Sequence, residues 1–306
     1  MTIRIAIVGV GKIARDQHVP TIAADPAFEL AATVTRHNTL DGTPNFASLA
    51  ELNAALPEVS AIAICTPPRG RLDIVRQAID LGYAVMLEKP PAATLTEAEA
   101  LVAAARGGVL HVTWHSRVAP AVEPARAWLD GRAIARVAVA WKEDVRVWHP
   151  GQQWIWEPGI GVFDPGINAL SILTHLLPAP LLLDRAALAF PADRAAPIAA
   201  DLALRDARGT PVDVAFDFDQ RGPQSWDIAI DTDGGRLDLT MGGSRWAVDG
   251  VAMPVPDVPE YAQLYRRFAE LIAARASDTD LSPFRIVADA FLLGERRTVA
   301  AFRWDG

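Results

Sequence analysis

Of the 29 lysines and arginines in this 306-residue chain, only three are lysines, and one stands in the stretch VMLEKPP, residues 85–91. In a chain that otherwise uses arginine, Lys89 between Glu88 and two prolines asks for a chemical reason. An ammonium is a compact charge with three donors whose pKa falls on burial, so it can join in proton transfer; a guanidinium stays protonated. The apolar run ahead of Lys89 reads as a strand, and the prolines stop the chain continuing as one. Glu88 and Lys89 are therefore expected at the carboxyl end of a strand, with Lys89 as a candidate proton-handling group.

A second group of residues lies near the amino terminus. Gly9-Val10-Gly11-Lys12-Ile13-Ala14 has the G-x-G-x-x-G/A spacing, follows a short β-branched run and opens a helical pattern. Gly9 would permit a tight turn, Gly11 the close approach of a pyrophosphate, and Ala14 close helix–sheet packing. The phosphates would meet the free N–H groups of Gly11, Lys12 and Ile13 at the helix start. Dinucleotide sites selective for NAD place a carboxylate about 20 residues further on, at the end of the second strand. Here that strand ends in Thr35, Arg36 and His37. Arg36 can pair with a 2′-phosphate and Thr35 can donate a hydrogen bond to it, so NADP is the expected cofactor, with NAD possible. Cys65, Thr66 and Pro67 close the third strand and are expected at the same carboxyl edge, with Cys65 as a buried structural thiol.

A third stretch, residues 140–156, gathers Trp141, Trp148, Trp154 and Trp156 around Glu143 and His149. Aromatic faces beside carboxylates and amides suit a sugar, whose C–H faces stack while its hydroxyls hydrogen-bond.

These groups need elements to hold them. Residues 1–117 alternate short apolar strands with amphipathic helices, which predicts a parallel sheet covered on both faces. Thr94 with Glu97 three residues later reads as a capping box. Residues 118–306 change texture. Alternating segments and the hairpin signal DTDGG predict a second, mostly antiparallel sheet, with helices over 259–275 and 283–298. The expected architecture is therefore α/β, with a Rossmann domain over 1–117 and a substrate-binding and oligomerisation domain over 118–306. Net charge is −8 with no basic block, which argues against nucleic acid. The single cysteine excludes an intramolecular disulfide, and no Cys/His spacing suits zinc. The short, glycine-broken apolar start predicts neither leader nor membrane span, so a reducing cytoplasm is expected.

The glycine loop, CTPP at 65–68, EKPP at 88–91 and the antiparallel second half together resemble the Gfo/Idh/MocA oxidoreductases over essentially the whole length. That resemblance implies a Rossmann domain and an open-faced α/β domain whose sheet forms a dimer interface. It also implies NAD(P)-linked hydride transfer on sugars or polyols, with the motif lysine on the reacting hydroxyl. Many members carry Asp and, four residues on, His on a helix. This chain has Asp164 and Asn168, which shifts proton handling toward Asp164 and Lys89. WHSR at 114–117, Glu143 and the Asp164/Asn168 pair resemble the branch oxidising the anomeric carbon of aldoses such as L-arabinose and D-galactose. Carried over, Lys89, His115, Glu143, Asp164 and Asn168 would line the sugar, with Trp148 of the aromatic stretch as a further substrate-binding candidate; a homodimer or a dimer of dimers is expected. Alternatives are an inositol-type polyol dehydrogenase and a non-catalytic dinucleotide-binding regulator.

Overall fold

The alternating segments of the first half form a six-stranded sheet in the computed structural model, which describes residues 2–305. The order along the chain is β1 (Ile3–Val8), α1 (Val19–Ala24), β2 (Phe28–Val34), β3 (Asn45–Phe46), α2 (Leu49–Ala55), β4 (Ala61–Ile64), α3 (Arg71–Asp80), β5 (Ala84–Leu87), α4 (Leu95–Ala104) and β6 (Leu110–Val112). In space the strands run β3-β2-β1-β4-β5-β6, and every pair is parallel. The central strands β4 and β5 are buried at every residue, as expected for a sheet with helices on both faces. Strand order reverses between β1 and β4, the place where such sheets bind ligands outside their carboxyl ends. The cap read at Thr94 holds, with its hydroxyl accepting from Glu97 N at the start of α4; Ser48 accepts from Glu51 N in the same way at the start of α2. A π-helical turn, Ala14–His18, leads into α1.

The second unit begins at Ser116. It contains α5 (Val122–Leu129), β7 (Ile134–Lys142), α6 (Val145–Trp148), α7 (Phe163–Leu176), β8 (Leu181–Pro191), β9 (Ala199–Asp206), β10 (Pro211–Asp217), β11 (Ser225–Thr232), β12 (Gly235–Thr240), β13 (Arg245–Val248) and β14 (Val251–Ala252). The chain then re-enters the first unit with α8 (Glu260–Ala274) and returns to the second with α9 (Ser282–Leu293) and β15 (Glu295–Val299). Nine strands make one mixed sheet in the order β14-β13-β12-β11-β7-β10-β9-β8-β15, parallel only at β7/β10 and β8/β15. Along β7, Val137, Val139 and Trp141 are buried, while Arg136, Ala138, Ala140 and Lys142 on the opposite face stay at least partly exposed in the single chain.

Two expectations change. Residues 258–281 group with the first unit rather than with the rest of 118–306. The reason is the amphipathic face of α8: Tyr265 and Phe268 pack on Phe28, and Asp278 O accepts from Val112 N at 2.9 Å. The helix expected over 283–298 also stops at Leu293, and residues 295–299 pair with β8 as an edge strand. Gly294 sits at the break, where an added Cβ would meet Ala290 O at 2.3 Å.

Candidate functional site

The parallel sheet sets the cofactor-side residues in a row. Gly9 N donates to Val34 O (3.0 Å), Cys65 N to Val8 O (2.8 Å) and Glu88 N to Ile64 O (3.1 Å), so the residues just past β1, β4 and β5 continue the ladder into the loops. Gly9 has φ +87°, and a Cβ there would meet Thr66 Cγ2 at 2.8 Å, so both the turn and the close approach require glycine. A Cβ at Gly11 would meet nothing within 4 Å, which leaves the loop's backbone open to a ligand. Beside it the Thr66 hydroxyl is buried without a protein partner, while Pro67 is exposed and Cys65 buried. Ile13 is half-buried and Lys12 is exposed, paired with Asp16 one turn on.

The loop after β2 is braced. Thr35 Oγ1 donates to His37 O and accepts from His37 N at 3.2 Å, so the threonine hydroxyl is folded into its own turn. Arg15 donates to the Asn38 and Thr39 carbonyls at 3.1 and 3.0 Å. Arg36 is exposed on this loop.

Lys89 is half-buried directly after β5, and its peptide bond to Pro90 is cis. The buried Glu88 carboxylate beside it is held by a network absent from local sequence signals. His18 Nε2 lies 3.0 Å from Glu88 Oε1, Tyr261 OH donates to the same oxygen at 2.9 Å, and His18 Nδ1 meets Tyr265 OH at 2.8 Å. Burial by itself would raise the Glu88 carboxyl; the hydrogen bond and charge of His18 outweigh that and hold it at about 2. Burial works to lower His18, but Cys65, Tyr265 and Glu88 outweigh it and raise it well above 6.5. His115 belongs to the same unit, with Nδ1 2.8 Å from Glu260 Oε2 and its ring stacked on Tyr261.

This pair makes stability depend on pH in a defined direction. The depressed Glu88 contributes fully above about pH 4.5 and loses its contribution as pH falls toward 2. The raised His18 contributes fully below about pH 6.5 and loses its contribution as pH climbs to its folded value. Thermal unfolding scanned from about pH 3 to about pH 9 should peak between those limits. Replacing His18 by leucine should cost about 3–5 kcal/mol near neutrality, because the Glu88 carboxylate is then buried without its cationic partner and keeps only the Tyr261 hydroxyl of this pair of donors. An unchanged midpoint for that variant would remove the ion pair from the account.

In the second unit Asp164 is the second residue of α7 and is buried; Asn168 lies one turn along the same face and is half-buried. Helix α7 sits close to the sheet because Gly166 faces Phe216, whose ring would lie 2.7 Å from an added Cβ. Glu143 follows β7 and is also buried; Trp226 Nε1 donates to its Oε2 at 2.8 Å. Between the two acids stands His149, with Nε2 3.6 Å from Asp164 Oδ2 and 3.7 Å from Glu143 Oε1. Trp148 is 47% exposed and meets Trp226 edge to face at 5.3 Å. Glu143, Trp148, Asp164 and Asn168 thus share a unit with an imidazole that can hold or pass a proton. His149 stood in view beside the tryptophans without an assigned role, and Trp226 carried no sequence signal at all. Of the other tryptophans, Trp141 and Trp156 are core residues, and Trp154 donates to Gln152 Oε1 at 3.0 Å. His175 pairs with Glu123 near the far end of α7.

Comparison with known proteins shows which family the chain belongs to. Residues 3–113 match the family described as an oxidoreductase family with an NAD-binding Rossmann fold. The chain is 48% identical over 300 residues to a galactose 1-dehydrogenase of Pseudomonas fluorescens, covering 98% of each. A crystal structure of a D-galactose 1-dehydrogenase protein from Rhizobium etli superposes with a TM-score of 0.94 at 51% identity, covering 99% of this chain and 98% of that one. The 3-ketoreductase KijD10 of Actinomadura kijaniata, solved with NADP and TDP-benzene, shares the fold at a TM-score of 0.81 and 19% identity, covering 98% of this chain and all of that one. Among the described residues, no helix is long and apolar enough to cross a membrane.

Proposed function

Because the chain belongs to the Gfo/Idh/MocA oxidoreductases, whose NAD-binding Rossmann fold it carries, we propose that it is an aldose 1-dehydrogenase preferring NADP. It would oxidise the anomeric carbon of a pyranose such as D-galactose or L-arabinose to the lactone. The observation that carries the substrate reading is the buried acid pair Glu143 and Asp164 with His149, Trp148 and Trp226 around them. Full-length likeness to galactose 1-dehydrogenases supports it.

The open backbone at Gly11, the glycine-only turn at Gly9 and the buried, unpartnered Thr66 hydroxyl fit a dinucleotide pyrophosphate. Gly9, Gly11, Lys12 and Ile13 would hold the phosphates, and Cys65, Thr66, Pro67, Glu88 and Lys89 would border the ring end. Arg36, with Thr35 shaping its loop, would take the 2′-phosphate. When bound, the nicotinamide supplies the hydride acceptor for the hydrogen on sugar C1. The protein's task is the proton: as the C1–H bond breaks, the O1 proton must leave for the lactone carbonyl to form, and Lys89 and Asp164 share that work. Glu143 and Asn168 would hydrogen-bond ring hydroxyls, Trp148 would stack on a C–H face, and His115 would bound the sugar. A panel of aldoses and polyols with NADP, followed by cofactor reduction, tests the reading. Turnover on inositol but on no aldose would move the chain to the polyol branch; cofactor binding with no turnover on any sugar would make it a regulator.

The NADP preference has its own test. Removing a charged hydrogen bond costs about 1.5–3 kcal/mol, so Arg36→Ala should lower kcat/KM for NADP by about 10–100-fold. The value for NAD should move by no more than about twofold. Equal losses with both cofactors would take Arg36 out of cofactor selection.

The open sheet face supports a homodimer. Ala138, Ala140, Ala187, Ala203 and Ala215 give it a flat centre. Arg136, Arg185 and Arg205 with Asp201 and Asp213 border it with both signs of charge, Arg136 being paired with Asp213 on the same chain, and such a face would suit a second copy of itself. Light scattering on the purified protein should return about twice the chain mass of 32.9 kDa. Replacing Ala140 by arginine should return a monomer. A monomeric parent protein would refute the assignment.

A further inference from the structure

We propose that Arg71 is a positioning residue that fixes the backbone on both sides of Lys89 and so sets where its amine acts. The proposal rests on the assignment of Lys89 to the proton transfer. Arg71 opens α3, yet it is only 3% exposed. Its Nη1 donates to the carbonyls of Glu88 and Pro90, the two residues flanking Lys89. Its Nε donates to Thr66 O at 3.0 Å, and Nη2 reaches the same oxygen. One buried guanidinium therefore ties the loop after β4 to the loop after β5.

Three features favour positioning over packing. Burying a cation carries a desolvation penalty that an apolar residue of similar volume would avoid. All three carbonyls gripped lie past the ends of β4 and β5, in the loops that carry Thr66 and Lys89. The rigid planar fork serves divergent acceptors with little further loss of freedom, which a flexible ammonium does not. With the Glu88–Lys89 and Pro90–Pro91 peptide planes both held and the φ of Pro90 fixed by its ring, the direction of the Lys89 Cα–Cβ bond is restricted. The Glu88 carboxylate is held independently by His18 and Tyr261, so the turn is gripped by main chain and side chain at once.

The test uses the full-length enzyme and compares Arg71→Ala, Arg71→Lys and Lys89→Met. Turnover is expressed per NADP-binding site counted by fluorescence titration, so that misfolded protein does not enter. A misplacement of about 1 Å at a reacting group costs on the order of 10²-fold. Arg71→Ala should therefore lose about 100-fold in kcat with D-galactose, and millimolar guanidinium should restore at least about a tenth of it while methylammonium does not. Arg71→Lys, which keeps charge and bulk, should remain at least about tenfold slow and covers the case in which the alanine variant does not fold. A lowered melting temperature with unchanged kcat per site, or an Arg71→Lys enzyme as fast as the parent, would overturn the proposal. If Lys89→Met turns over normally, the lysine assignment fails and this inference with it. If Lys89→Met is inactive while both Arg71 variants run at parental speed, only the role of Arg71 is lost.

Discussion

Lys89→Met should lower kcat for an aldose by about 10²–10⁴-fold, the range of general acid–base assistance, while NADP binding survives. Methionine keeps the unbranched stem and removes the charge and the three donors. Lys89 is only half-buried and its turn is held by groups other than its own side chain, so the fold should tolerate the change. The measurement is steady-state kinetics with saturating NADP, paired with fluorescence titration of the cofactor. A variant within about threefold of the parent in kcat would remove Lys89 from the proton transfer.

Asp164→Asn should produce a loss of the same order, about 10²–10⁴-fold in kcat, for a different physical reason. The amide keeps the size of the carboxylate, so the packing of α7 is preserved, but it can neither accept a proton nor oppose the charge of a protonated His149, whose Nε2 lies 3.6 Å away. The Glu143 carboxylate, 3.7 Å from His149 Nε2, would remain beside the imidazole. If Lys89 and Asp164 serve one proton transfer, the double variant should be about as slow as the slower single variant, because groups acting as a unit are strongly non-additive. Losses that multiply would show two independent roles. An Asp164→Asn enzyme that retains kcat and loses only sugar KM would reassign Asp164 to binding.

Much of the first unit was legible because its signals are local. The turn at Gly9, the cap at Thr94 and the strand stop ahead of the prolines each depend on a few neighbouring residues; the structure has the turn and the cap where the spacing predicts, and ends the strand at Leu87, one residue before the expected Glu88. The alternating segments of the second sheet were legible for the same reason, since a half-buried strand shows its period of two in any short window. The last edge strand was not: ERRTV is exposed at every residue, so no burial pattern marks it, and the preceding helix signal runs into it.

By itself the sequence determined the two kinds of sheet, the glycine loop and the delivery of Glu88 and Lys89 to a strand's carboxyl end. Only the tertiary structure decided what holds those groups. Glu88 is met by His18 from 70 residues away, and His18 by Tyr265 from 247 residues away, on a helix that belongs to the first unit. Arg71 looks like a surface helix residue until the sheet sets two loops beside it, and His149 acquires its carboxylates only when α7 closes on the sheet. Backbone preferences act over a few residues and leave a periodic trace in the chain; a buried charge takes whichever partner the packed fold brings within reach, and chain spacing carries no record of that choice.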